Sequence, residues 1–185
     1  MSLVILDSFE SENNISIALK NVLKIRGEEF SYFNLKEMNI KRCRGCGACG
    51  DKTPGKCIIN DDMQQVFRAI AKGDSLIMLT PLRFGGYSSR LKLAIDRFMV
   101  LGLPFYFVKN STLFHRTRYG HKHYVVIALA EGEVKGQEEN FKKIVAQNAD
   151  NLSYTGKSLV FKTVDTTTEI EKEIEKVLQG GKSND

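Results

Sequence analysis

The apolar and polar positions of the chain form two kinds of segment, which predict strands and helices in alternation. Short, nearly continuous apolar runs are typical of strands buried on both faces of a parallel sheet. These runs are "SLVILD" at 2–7, "SLIMLTPL" at 75–82, "HYVVIALAEG" at 123–132 and "KSLVFKTV" at 157–164. A further strand is predicted at "EFSYFNL", residues 29–35.

Segments with apolar residues at helical spacing lie between these runs. They are "ISIALKNVLKIRG" at 15–27, "NDDMQQVFRAIAKGD" at 60–74, "RLKLAIDRFMVLG" at 90–102, "QEENFKKIVAQNADNL" at 137–152 and "TTTEIEKEIEKVLQ" at 166–179. Asn60 or Asp61 is predicted to cap the second helix, which Gly73 ends. Thr166 and Glu169 form a capping box for the last helix.

This alternation predicts an α/β fold with a three-layer, doubly wound, five-stranded parallel sheet in the order 2-1-3-4-5. Ligands of such sheets bind beyond the carboxyl ends of the strands, where the strand order reverses. Three loops lie at that edge: residues 7–14, 80–89 and 130–136. We therefore expect the functional site there.

The length of 185 residues fits one domain. The predicted organisation is a single domain over 1–180, with a cysteine-rich loop at 36–59 and a frayed polar tail at 181–185. The N-terminus has no basic leader, and no segment approaches the roughly 18 apolar residues of a membrane span. We therefore expect a cytoplasmic protein with no membrane partner.

The formal net charge of +5 would suit an anionic partner, such as nucleic acid, an acidic protein or a phosphorylated cofactor. The basic residues concentrate around the cysteines and at 109–123, and solvated loops would explain the same clusters. The second cluster contains His115, His121 and His123. Because no cysteine or carboxylate accompanies them locally, loop or interface histidines are favoured over a metal site.

All four cysteines lie in "CRGCGACGDKTPGKC", at Cys43, Cys46, Cys49 and Cys57. Two-residue gaps let neighbouring thiolates converge on one centre, and the intervening glycines permit tight turns. A [4Fe-4S] cluster, a zinc ion and thiols without a metal all remain open. Structural zinc sites usually separate two close pairs, which disfavours zinc, and the basic flanks would offset the charge of a cluster.

The cysteine run, the "INDDM" that follows it and "TPLRFGGYSSRLKLAIDRF" at 80–98 together resemble the NADPH-dependent FMN reductase-like flavoproteins, most closely their iron-sulfur flavoprotein branch. The resemblance implies a flavodoxin-like fold, bound FMN, a homodimer or homotetramer, and electron transfer from NAD(P)H. A redox small molecule or an electron-transfer protein would be the partner. It also favours a [4Fe-4S] cluster held by the four cysteines.

In that family the loop after the third strand lies along the flavin ring. The matching residues here are Thr80, Pro81, Leu82, Arg83, Phe84, Gly85 and Gly86. Glycines allow the backbone to approach a planar ring, and Phe84 or Leu82 would be able to cover it. Lys92, Asp96 and Arg97 match a further family pattern and are interpreted as helix surface and interface residues.

The first loop, "DSFESENNIS", departs from the phosphate-binding turn of the family. Ser8 and Asn14 fall on the family's serine and asparagine, and Ser11, Asn13 and Ser16 offer further donors. A helix N-terminus favours an anion. Glu10 and Glu12 oppose a phosphate, and Ile15 replaces the family's threonine.

The sequence therefore predicts an FMN-dependent oxidoreductase whose residues bind cofactors and include no essential acid or base. Hydrolase chemistry has no support, because no nucleophile motif is present. The alternative is a non-catalytic flavodoxin-like module that uses its basic loops to bind a protein or, with less support, nucleic acid. The apolar segment "FMVLGLPFYFV" at 98–108 is predicted to extend the third helix into a subunit interface.

Overall fold

The computed structural model describes residues 2–109, 111–131 and 136–179. The tail predicted at 181–185 and most of the loop predicted at 130–136 fall outside the described residues. The described residues contain seven strands: β1 (Leu3–Asp7), β2 (Phe30–Asn34), β3 (Ser75–Pro81), β4 (Gly102–Lys109), β5 (Thr112–Thr117), β6 (His123–Ala130) and β7 (Thr155–Lys162). The same ranges contain five α-helices: α1 (Asn14–Arg26), α2 (Met63–Lys72), α3 (Ser89–Ile95), α4 (Gln137–Asn151) and α5 (Thr167–Gln179).

Five strands form one parallel sheet in the order β2-β1-β3-β6-β7. This is the predicted order 2-1-3-4-5, because β6 and β7 are the fourth and fifth strands of the sheet. β3 pairs with β1 on one side and with β6 on the other, which places the reversal of strand order between β1 and β3. The predicted fold class is confirmed.

The sheet is the middle of three layers. Val4 and Leu6 of β1 face a core that α2, α3 and α4 cover. Leu3 and Ile5 face the second core, under α1 and α5. Alternate side chains of a central strand therefore enter opposite cores, which explains why "SLVILD" is apolar at almost every position.

The capping predictions are confirmed at one helix and corrected at another. Thr166 Oγ1 accepts from the Glu169 N–H, and the Glu169 carboxylate accepts from the Thr166 N–H. α2 begins later than predicted, with Asp62 at the capping position and no side-chain cap bond. Asp61 accepts the Met63 N–H instead and also pairs with Arg97.

The region after α3 corrects the predicted long helix at 90–102. α3 ends at Ile95, and a single 3-10 turn follows at Phe98–Leu101. β4 and β5 then form an antiparallel hairpin outside the main sheet, so the basic stretch at 109–123 is partly a strand rather than a loop. Gly102 and Pro104 do not favour a helix, and the aromatic residues that follow them have a high strand propensity.

No helix in the described part of the chain is long and apolar enough to cross a membrane.

Candidate functional site

The loop after β3 forms a tight turn at the carboxyl edge of the sheet. Arg83 and Gly86 exchange two backbone hydrogen bonds, of 3.1 and 2.8 Å. Between them, Phe84 and Gly85 have φ angles of +49° and +74°, the pattern of a type I′ turn. The Phe84 ring is fully exposed, although an aromatic residue with positive φ is conformationally costly. The turn thus presents an aromatic ring to solvent at the edge predicted to bind a ligand.

The base of this turn is anchored by its neighbours. The Gly85 N–H donates to Gln137 Oε1 (3.1 Å), and the Leu82 N–H donates to the Leu129 carbonyl (2.8 Å). Thr80 Oγ1 accepts from the Ser88 N–H at 2.9 Å, and Leu82 is buried. Thr80 and Leu82 therefore anchor the loop to the protein interior. Phe84 is the side chain that could contact the planar ring of a ligand.

The first loop is tied to the turn through buried hydroxyl groups. Ser8 Oγ donates to the Leu79 carbonyl at 2.8 Å and accepts from Ser88 Oγ at 2.9 Å. Asn13 caps α1, because its Oδ1 accepts from the Ile15 and Ser16 N–H groups. The structure thus brings the loops after β1 and β3 together, as predicted for a switch point.

The other predicted residues of the first loop lie nearer the surface. Asn14 Nδ2 donates to the Asp165 carbonyl, and the exposed Ser11 accepts a hydrogen bond from Asn13 at its backbone carbonyl. Ser11 and the backbone around it are therefore accessible to a ligand.

The two glutamates of this loop point outward and have cationic partners. Glu10 pairs with Arg90 at 3.0 Å, and Glu12 pairs with Lys20 at 2.8 Å. Both carboxylates are more than half exposed. Their repulsion toward an anion is therefore weakened by pairing and by solvent.

Asp7 is a buried acid of this loop that the sequence interpretation did not single out. It is only 4% exposed, and its carboxylate accepts from the Phe9 N–H (2.9 Å), Ser16 Oγ (2.9 Å) and the Tyr32 hydroxyl (2.5 Å). Burial raises the pKa of Tyr32, and the adjacent Asp7 raises it further, so Tyr32 remains a neutral donor. A fixed carboxylate thus lies against the first turn of α1.

All four cysteines line one cavity of about 300 Å³ between the cysteine loop and the β4–β5 hairpin. Cys43 and Cys46 are exposed, whereas Cys49 and Cys57 are half-buried. Burial raises the pKa of the Cys49 thiol, and the neighbouring Cys57 adds to this effect. Within the described residues no three His, Cys, Asp or Glu side chains form a ready-made metal site. The thiols share a cavity but are not arranged as a closed ligand set.

Arg97 corrects the prediction of a surface or interface residue. It is 1% exposed, lines the same cavity and forms a fully buried ion pair with Asp61. Its guanidinium also donates to the Lys41 and Ile59 carbonyls. Burial favours a lower pKa for Arg97, but the Asp61 and Cys57 side chains outweigh it and the pKa rises. A permanent positive charge therefore lies beside the thiols.

Lys92 and Asp96 pair with each other on the surface of α3, as the surface interpretation expected. His115 joins the lining of the cysteine cavity, and its Nδ1 lies 2.8 Å from the Leu103 carbonyl. The His121 ring lies 3.0 Å from the Ser153 carbonyl and 2.9 Å from Thr155 Oγ1, and it meets the His123 ring edge to face rather than lining the cysteine cavity. The three histidines therefore do not converge on one site.

Comparison with known proteins places these features in a family. The model of the family described as NADPH-dependent FMN reductase matches residues 3–142. The chain is 30% identical over 135 residues to an iron-sulfur flavoprotein of Methanosarcina thermophila, covering 72% of this chain and 62% of that protein. It is 31% identical over 97 residues to an iron-sulfur flavoprotein of Methanocaldococcus jannaschii, covering 51% of this chain and 49% of that protein. These matches span about half to three fifths of the curated relatives.

Among solved structures, an NAD(P)H:quinone oxidoreductase from Methanothermobacter marburgensis superimposes with a TM-score of 0.67 at 14% identity. The superposition covers 99% of this chain and 98% of that one. At this identity the similarity concerns the fold, including the five-stranded parallel sheet.

Proposed function

The chain belongs to the NADPH-dependent FMN reductase family, and on that premise we propose that it is an FMN-dependent oxidoreductase that passes electrons from NAD(P)H to a small-molecule or protein acceptor. The observation that carries this proposal is the exposed turn after β3, which lies beside the first loop at the reversal of strand order. We place this activity in the cytoplasm, where cysteines such as these four are kept reduced and can bind a metal.

We assign the flavin ring to the turn after β3 and the phosphate end to the first loop. Around the ring, the residues would be Thr80, Pro81, Leu82, Arg83, Phe84, Gly85 and Gly86. At the phosphate end they would be Ser8, Ser11, Asn13 and Asn14. The fully exposed Phe84 ring supports this placement of the flavin ring, whereas Gly85 is buried against α4 and Gly86 is half-buried.

A bound flavin would accept a hydride and release electrons singly or in pairs. This chain would bind the flavin, orient it and limit its contact with water. Thr80 and Ser88 hold the turn in place through their mutual hydrogen bond, and Ser8 joins that network from the first loop. We assign no acid or base to the chemistry.

We further propose that Cys43, Cys46, Cys49 and Cys57 hold a [4Fe-4S] cluster, which would supply one-electron transfer. Four cysteine thiolates are the usual ligands of a [4Fe-4S] cluster, and the four cysteines here line one cavity. Arg97 interacts with the Cys57 side chain as well as with its ion-pair partner Asp61, so it would favour the thiolate form of Cys57. The loop would have to close around the cluster, since the ligands are not preorganised.

FMN titration of the purified protein tests the flavin proposal. Wild-type protein is expected to bind FMN at micromolar concentration. Gly85→Val should weaken binding at least about tenfold, because a β-branched residue disfavours positive φ and its Cβ would meet Asn140 Cβ at 3.3 Å.

Gly120→Val is the matched control for the titration. Gly120 also has a positive φ of +77°, but it is exposed, it precedes β6 and an added Cβ would meet no atom within 4 Å. FMN affinity of this variant should stay within about twofold of wild type. Lack of FMN uptake by the wild type would instead favour the non-catalytic module, for which the acidic first loop is the main support.

We expect the protein to form a homodimer or a homotetramer. The β4–β5 hairpin exposes the large apolar side chains of Phe105, Tyr106, Val108 and Leu113. Met99, in the 3-10 turn just before β4, is also exposed. A surface of this kind is typical of an interface. Light scattering should give at least twice the chain mass, and Phe105→Glu with Val108→Glu should lower it.

Ile25→Glu is the control for this experiment, because Ile25 is exposed on α1, away from the hairpin. It should leave the mass unchanged. A monodisperse wild-type monomer at working concentration would contradict the expectation.

A further inference from the structure

Several hydrogen-bond donors of the first loop are already engaged by oxygen atoms of the chain itself. The Phe9 N–H and Ser16 Oγ donate to the Asp7 carboxylate. The Ile15 and Ser16 N–H groups donate to Asn13 Oδ1. These backbone donors at the start of α1 are of the kind that a phosphate uses at a helix N-terminus. Asp7 and Asn13 thus occupy part of the anion-binding capacity of this loop.

The charge of Asp7 is also poorly screened. Unlike Glu10 and Glu12, it is buried, and each of the three groups that donate to it in the described structure is uncharged. Three cations lie near this loop: Arg90 pairs with Glu10, Lys20 pairs with Glu12 and Lys36 donates to the Glu10 carbonyl. In the described structure none of them contacts Asp7. A buried negative charge at the end of β1 would therefore repel a phosphate in the adjoining loop.

We propose that Asp7 determines flavin specificity, so that this protein recognises the ring and ribityl chain of a flavin and gains little affinity from the 5′-phosphate. The ligand class is flavins with or without that phosphate, and riboflavin is the informative member. This inference rests on the proposed flavin site. It concerns only the contribution of the phosphate.

The test compares riboflavin with FMN on the wild-type protein by isothermal titration and by quenching of flavin fluorescence. The dissociation constants should differ by less than about tenfold, whereas a productive phosphate site would contribute charge-assisted hydrogen bonds and a far larger ratio. An FMN preference above about tenfold would overturn the inference but leave the flavin proposal intact. If neither flavin binds, the proposed function itself fails.

Asp7→Asn removes the charge while preserving the side-chain shape. The Asn Oδ1 can still accept the Phe9 N–H, and the hydroxyls of Ser16 and Tyr32 can turn to accept from its amide nitrogen. FMN affinity should rise about tenfold, with riboflavin affinity unchanged within about twofold. Unchanged FMN affinity in a folded variant would refute the role of Asp7.

Glu12→Gln is the matched control, since it removes one negative charge from the same loop at an exposed, paired position. Its FMN-to-riboflavin ratio should match that of wild type. Circular dichroism confirms that each variant is folded. If Asp7→Asn does not fold, the ratio of the riboflavin and FMN dissociation constants of the wild-type protein decides the inference.

Discussion

Arg97→Met is expected to lower the free energy of unfolding by about 3–5 kcal/mol, because breaking a buried ion pair leaves the partner charge without compensation. Both side chains of the Arg97–Asp61 pair are fully buried. The substitution also removes the donors to the Lys41 and Ile59 carbonyls, on either side of the cysteine segment. Urea denaturation followed by circular dichroism measures the loss.

Two further variants distinguish the loss of the buried Arg97–Asp61 pair from the loss of any positive charge. Lys92→Met removes a cation from α3, five residues before Arg97, but Lys92 is exposed in its pair with Asp96, so the cost should stay below about 0.5 kcal/mol. Adding Asp61→Leu to Arg97→Met should recover part of the loss, because the stranded carboxylate is removed. A cost below about 1 kcal/mol for Arg97→Met would contradict the role assigned to the pair.

Cys46→Ser is expected to abolish the iron and acid-labile sulfide of anaerobically purified protein. The wild type should carry about four irons per chain, and the variant less than about a tenth of that amount, because serine is a poor substitute for a thiolate ligand. Colorimetric iron and sulfide assays give the result. FMN content should be retained, since the proposed flavin loops are separate from the cysteine loop in sequence.

Lys52→Gln serves as the control, because Lys52 is exposed in the same loop and is not among the residues lining the cavity. It should retain iron. If anaerobic wild-type protein contains less than about a tenth of an equivalent of iron, the cysteines bind no cluster and electron transfer must use the flavin alone.

The sheet could be predicted because its central strands have an unambiguous pattern. β1, β3 and β6 are buried along most of their length, so they are apolar at consecutive positions, and a right-handed crossover then leaves few possible orders. The hairpin was missed because apolar residues at 98–108 continue directly from α3. The helix ends at Ile95, and Gly102 and Pro104 were the signals against its extension.

The buried charges required tertiary information. Arg97 and Asp61 are far apart in sequence, and nothing local pairs them. One signal was present: Arg97 lies three residues after the buried Ala94 and directly before the buried Phe98, on the apolar side of the segment.

Asp7 similarly ends the apolar run of β1. The burial of Asp7 could have been predicted, because it ends a central strand. Its three hydrogen-bond donors could not, because they come from three separate segments: α1, β2 and the first loop.

The strand order also has a consequence for how the chain folds during synthesis. β2, β1 and β3 are complete once residue 81 has been made, and the second proposed flavin loop follows directly, so both loops can approach each other early. β3 nevertheless has an unpaired edge until β6 emerges, since β4 and β5 belong to the separate hairpin. The segment "SLIMLTP" would then be an exposed apolar edge strand, the kind of surface that promotes aggregation of nascent chains. Slower production at lower temperature should therefore improve the yield of folded protein.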